Sequence, residues 1–172
     1  MSRADNHELV AEVLQVIEHR GAVGVLGLED ACNWKTPDQL RYVIGELLVI
    51  HALQAVAVPL GDKAPPMIVY RLETLGDRLL QLIDQLRLHG PMDGEDLRSN
   101  LGVASTAAWE QLTRAALQLK LIETRRVGYA LKGDKRRKGE QVPGRVIAQN
   151  GQSAEDALWN QVAGFGLQRG GL

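Results

Sequence analysis

The chain has 172 residues, 45% of them hydrophobic, which is enough for one ordinary domain or two small ones with folded cores. Its 20 Lys and Arg against 21 Asp and Glu give a net charge of -1, so a uniformly basic or acidic protein is excluded. The longest apolar runs, such as "LLVIHAL", fall short of the ~18 residues needed to cross a bilayer, so no membrane partner is expected. One cysteine, Cys32, cannot form an internal disulfide, and "MSRADNHELV" lacks the charged and apolar segments of a leader; both point to a cytoplasmic setting.

Leu9, Val10, Val13, Leu14, Val16 and Ile17 recur at helical spacing up to Gly21, which can end the helix behind His19 and Arg20. An acidic helical segment, "LEDACNW", comes next at 28–34. Thr36 can then cap a third helix beginning at Pro37, "PDQLRYVIGELLVIHA". Strand-like "LQAVAVPL" and "MIVYRL" follow, separated by "GDKAPP". The order then repeats. Leu79, Leu80, Leu82, Ile83, Leu86 and Leu88 form a helical stripe ending at Gly90, 69 positions after Gly21. "GEDLRSNLG" supplies the short helix, Ser105 or Thr106 a cap, "AAWEQLTRAALQLK" the third helix, and "LIETRRVGYALK" a hairpin. The expected class is mainly α with small β-hairpins (α+β), in two alike units with weak letter-by-letter identity.

Charge divides unevenly between these units. Residues 1–76 carry -4, residues 77–139 carry +4 and residues 140–172 carry -1. Five of the seven residues from Lys132 to Lys138 are basic, which suggests a local anionic partner.

Three helices and a hairpin resemble the winged-helix form of the helix-turn-helix. The second unit carries the likeness best, over the roughly 55 residues "LLQLIDQLRLHGPMDGEDLRSNLGVASTAAWEQLTRAALQLKLIETRRVGYALKG". The resemblance implies two such domains in tandem, 1–74 and 75–138, followed by a Gly-rich tail, 139–172. It implies that the third helix of the second unit enters the major groove of double-stranded DNA, with Ser105, Thr106, Glu110, Gln111 and Arg114 on its exposed early positions. Ser and Thr suit phosphates, Gln suits adenine and Arg suits guanine, although Glu110 and the scarcity of cations depart from a strong reader. Arg125 and Arg126 in the hairpin, with Lys132, Lys135, Arg136, Arg137 and Lys138, complete the expected DNA-binding set as backbone contacts.

Two readings of the second hairpin stay open. In one, Val127 and Gly128 form a short tip, "YALK" returns, and the basic run is a flexible tail. In the other, "GDKRRKGE" is a long wing tip and "GRVIAQ" returns. The second draws on Gly61-Asp62-Lys63 and Gly133-Asp134-Lys135, which lie 72 apart, like Gln39-Leu40 and Gln111-Leu112.

The first unit, acidic and with an unusually apolar third helix, is expected to mediate homodimerisation or hold a partner. In the tail, Ser153 to Phe165 can form an amphipathic helix that docks on the body or binds another protein. Trp34, Tyr42 and Trp109 are expected in the core. No catalytic constellation, cofactor fingerprint or metal-ligand spacing is found: His7, His19, His51 and His89 are scattered, and Cys32 has no His nearby in sequence. The expectation is a non-enzymatic, sequence-dependent DNA-binding regulator of bacterial or phage type. The alternative is a protein-binding adaptor like those that clamp the kleisin of chromosome-condensing complexes.

Overall fold

A computed structural model describes residues 6–34, 36–61, 64–126 and 128–138. The expected tail and its helix therefore lie outside the described residues. The first half runs α1 (Asn6–Arg20), β1 (Val23–Gly24), α2 (Val25–Ala31), α3 (Pro37–Val49), β2 (Leu53–Val58) and β3 (Met67–Leu72). The second runs α4 (Thr74–His89), α5 (Gly94–Asn100), α6 (Thr106–Gln118), β4 (Ile122–Arg125) and β5 (Gly128–Leu131). The architecture is α+β, with a three-stranded antiparallel sheet ordered β1-β3-β2 and a two-stranded one, β4-β5.

The period of 69 holds through the helical part of each half. Gly21 and Gly90 end α1 and α4 with φ of 76° and 74°, each donating its backbone N–H four residues back, to Ile17 and Leu86. Thr36 and Ser105 cap α3 and α6, accepting from the backbone N–H of Gln39 and Ala108. His51 and Lys120, 69 apart, both take positive φ (58° and 57°) where those helices turn toward the hairpins. Even β1 has a counterpart, because Met92 bridges to Tyr129 much as Val23 pairs with Tyr70. From these pairs the offset falls from 69 before the hairpin to 59 after it, so the second hairpin is ten residues shorter.

That register corrects the matches at a spacing of 72. Gln111 corresponds to Tyr42, not to Gln39, and Arg125 lies opposite Gly128, so the short hairpin forms. The strand therefore does not run on to Lys132 as the long wing requires, "GRVIAQ" lies outside the described residues, and through Lys138 the basic run is held by contacts instead of forming a flexible tail. The second helix of the first half also starts three residues earlier than "LEDACNW" suggests, because Gly24 supplies its N-cap.

Both halves feed one continuous buried cluster. Val13, Leu14 and Ile17 of α1 and Leu79, Leu82, Ile83 and Leu86 of α4 are essentially sealed from solvent within it. The apolar third helix of the first half also belongs there: Leu40, Val43, Ile44 and Leu47 are buried. Its apolar surplus is therefore largely interior to the chain, which removes the reason for expecting that helix to form a dimer contact. Val49, 75% exposed, and Tyr42, 45% exposed, are its outward apolar residues, so Tyr42 is not the core residue expected.

The start of α4 is pressed onto the first half. The Glu73 N–H donates to the Ala52 carbonyl at 3.0 Å, and a Cβ on Gly76 would stand 2.3 Å from that oxygen. Gly76→Ala should therefore cost about 2–3 kcal/mol, since backbone must move. Gly45, inside α3 with nothing within 4 Å of an added Cβ, supplies the control. Gly45→Ala should stabilise by about 0.5–1 kcal/mol through helix propensity. Denaturant melts of the two variants check both signs.

Candidate nucleic-acid interface

The helix α6 buries Leu112, Thr113, Ala115 and Ala116 and turns Thr106, Glu110, Gln111 and Arg114 outward. Trp109 is half-buried and meets Tyr129 edge-on, with ring centroids 5.9 Å apart, as a core aromatic does. Trp34 likewise packs against the core and donates its indole N–H to the Glu29 carbonyl at 2.7 Å. Ser105 uses its hydroxyl as the cap, and Thr106 accepts from Arg98 at 3.4 Å. Gln111 and Arg114 have no hydrogen-bond or ion-pair partner among the described residues. They lie three residues apart, hence on one helical face.

That face borders concave surface. Gln111, Ser105 and Ala108 line a cleft of about 440 Å³ together with His51, Leu75 and Arg78. Gln111 and Arg114 line a second cleft of about 270 Å³ with Ile50 and Leu75. Asn6, Tyr42, Val43, Leu119 and Lys120 line a third cleft of about 250 Å³. Adding 69 to the first three gives Leu75, Gln111 and Leu112, and subtracting 69 from the last two gives Ile50 and His51, all on the α6 side. Such reciprocity marks an approximately two-fold interface between the halves. The two third helices thus present equivalent positions to different clefts, with Gln111 and Arg114 on one helix and Tyr42 and Gly45 at the corresponding positions of the other.

The basic residues divide by what they touch. Arg136 forms an ion pair with Asp134 at 2.8 Å and donates to the carbonyls of Leu86 and Arg87, both at 2.9 Å. These are carbonyls of the last turn of α4, where a cation also complements the helix dipole. Arg125 pairs with Glu123 at 3.0 Å and donates to the carbonyls of Arg136 and Asp134. Lys132 reaches the other Glu123 oxygen at 3.2 Å, and Lys138 reaches Asp93 at 2.7 Å. The segment is a clasp that ties the strand after α6 to the end of α4 and the start of α5. Arg114, Arg126 and Lys135 have no such partner among the described residues, and Arg137 is exposed.

Sequence reasoning did not single out Arg98 or Arg78. Arg98 donates to the Val103 and Ala104 carbonyls and Arg78 to the Leu101 carbonyl, so both hold the turn that aims α6. The Arg98 contacts reach five and six residues ahead and the Arg78 contact 23, and neither spacing is a recognised helical or capping pattern. Asp93 was not singled out either, although an Asp just before a helix is a capping signal; it accepts from the Asp96 N–H at 2.9 Å.

No family model matches the sequence, and no curated protein is similar enough to count as a relative. The chemistry is accordingly read from the side chains. No group of three or more His, Cys, Asp or Glu that could hold a metal occurs among the described residues. Burial pushes the Cys32 thiol up to about 11, which leaves it unreactive at neutral pH.

The clasp has a pH signature. The Asp96 backbone N–H, then Lys138, holds Asp93 down at about 2, and the Arg136 hydrogen bond lowers Asp134. A carboxylate favoured as the anion in the fold stabilises above its unfolded value and loses that contribution as pH falls through its folded value. Melting temperature should therefore hold above about pH 4 and drop between about 4 and 2. Arg136→Ala should lower stability at neutral pH by about 1–3 kcal/mol and shrink the acid dependence, as measured by melts across that range.

Proposed function

We propose that the chain binds double-stranded DNA as a tandem winged-helix regulator, reading sequence with α6 of its second half. What supports this is Gln111 and Arg114, side by side without protein partners on a capped helix in the half whose net charge is +4. Gln and Arg are the bidentate readers of adenine and guanine edges. The order helix, short strand or bridge, helix, helix, hairpin, written in both halves, is that of the winged-helix resemblance. In this reading Arg126, at the turn of the second hairpin, and Lys135 contact phosphates. Arg125, Lys132, Arg136 and Lys138 position the hairpin instead of meeting DNA.

A second reading, the protein-binding adaptor, has its own observation. Among the described residues the exposed large apolar side chains are Leu26, Tyr42, Val49, Leu60, Met67 and Ile68 in the first half, against Leu117 in the second. A surface so distributed suits a protein better than a phosphate backbone.

Titration of the full chain against duplex DNA separates the two. If two phosphates are neutralised, through Arg126 and Lys135, affinity should fall roughly 12-fold between about 50 and 200 mM salt. Arg126→Ala should weaken binding to all sequences alike, while Arg114→Ala should relax preference at one or two base pairs. No binding at low salt would hand the function to the adaptor reading.

A further inference from the structure

The sheet order β1-β3-β2 leaves β2 as an edge with no strand beyond it among the described residues. From Ala52 to Gly61 the chain has no charged residue, in a sequence that is 24% charged overall. Along β2 itself, Gln54, Ala55 and Ala57 are exposed. Its counterpart in the second half is built differently. The strand β4 has four residues instead of six, carries Glu123 and Arg125, and is tied by their contacts with Lys132 and the 134–136 segment. Edge strands invite pairing, and shortness and charge are the usual guards against it. One fold therefore guards one of its two equivalent edges and leaves the other open.

We propose that β2 pairs antiparallel with β2 of a second copy, joining two three-stranded sheets across a two-fold axis. A two-fold contact brings one patch against itself, so any charge on the strand would meet its like. A strand without charge avoids that repulsion, and for the same reason it offers nothing to a charged peptide or to a phosphate backbone. The ladder alone, six residues and about 20 Å long, buries less than the ~1,200 Å² of a stable interface. Leu60, Met67 and Ile68, on the same hairpin and each over 40% exposed, supply further apolar area. The association is consequently concentration-dependent. It lies on the hairpin, not on the apolar third helix, and it holds whether or not the chain binds DNA.

Sedimentation of the full chain over a concentration series tests this. The mass should double with rising concentration, and the double variant Ala55→Lys, Ala57→Lys should stay monomeric with unchanged circular dichroism and melt, since both side chains are exposed. A wild-type chain that is monomeric throughout, or a folded double variant that still dimerises, overturns the proposal. Amide exchange in the wild type is a second measurement, independent of the variant's folding. Protection at residues 54–58 should rise with concentration, and a doubling of mass without it would put the interface elsewhere.

Discussion

The carbonyl of Ala52 is where the two halves become one body. It accepts from Glu73 just after the first hairpin closes and sits against Gly76 in the first turn of α4, a place only a residue without a side chain can fill. From that joint α4 runs alongside α1, and their apolar stripes form the middle of the shared core. A repeat half this size buries a smaller fraction of its chain than a larger body does, so sharing a core raises what each half can bury. The reciprocal clefts follow from the same arrangement: once the halves meet about an approximate two-fold, each third helix must lie beside the other half's entry helix.

Charge is used on this frame for attachment before anything else. A segment leaving the short second hairpin has no apolar stripe with which to pack. Arg136, on two carbonyls in the last turn of α4, and Lys138, on the carboxylate of the α5 cap Asp93, fasten it by hydrogen bonds at helix ends. A cluster of cations thus looks from sequence like a phosphate site and in three dimensions is mostly a set of internal contacts. Of its acidic partners, Glu123 and Asp134 lie two residues from Arg125 and Arg136, whereas Asp93 lies 45 residues from Lys138, a separation that sequence spacing does not reveal.

Local signals carried well. Gly21 and Gly90, Thr36 and Ser105, and the stripes of α1 and α4 act within a turn or two of themselves, and the structure places each where the sequence suggests. Signals resting on a few matched letters did not: the Gln-Leu pairs at 72 are out of register, because structural equivalence follows caps and helix ends. Tyr42 was misread for a related reason. Its neighbours Val43 and Ile44 point to the core, and one helical step sets it on the rim of a cleft instead. The two-residue β1 has no periodicity to detect; it exists because β3 offers it a pairing edge. For the candidate site, Gln111 and Arg114 were legible as exposed helix positions, whereas the cleft they border depends on contacts between halves.

The halves share a backbone and differ in what they show to solvent. At the positions where α6 carries Gln111 and Arg114, α3 carries Tyr42 and Gly45, which offer no bidentate polar pair. Where β4 is short and charged, β2 is longer and neutral. The substitutions run in one direction: polar, readable groups gather on the second half and apolar, unguarded surface on the first. Because the core is common to both, neither surface can change its orientation relative to the other without breaking the joint at Ala52 and Gly76. Any partner held at the β2 edge is thereby fixed in geometry with respect to α6, which couples the two surfaces mechanically even though no residue belongs to both.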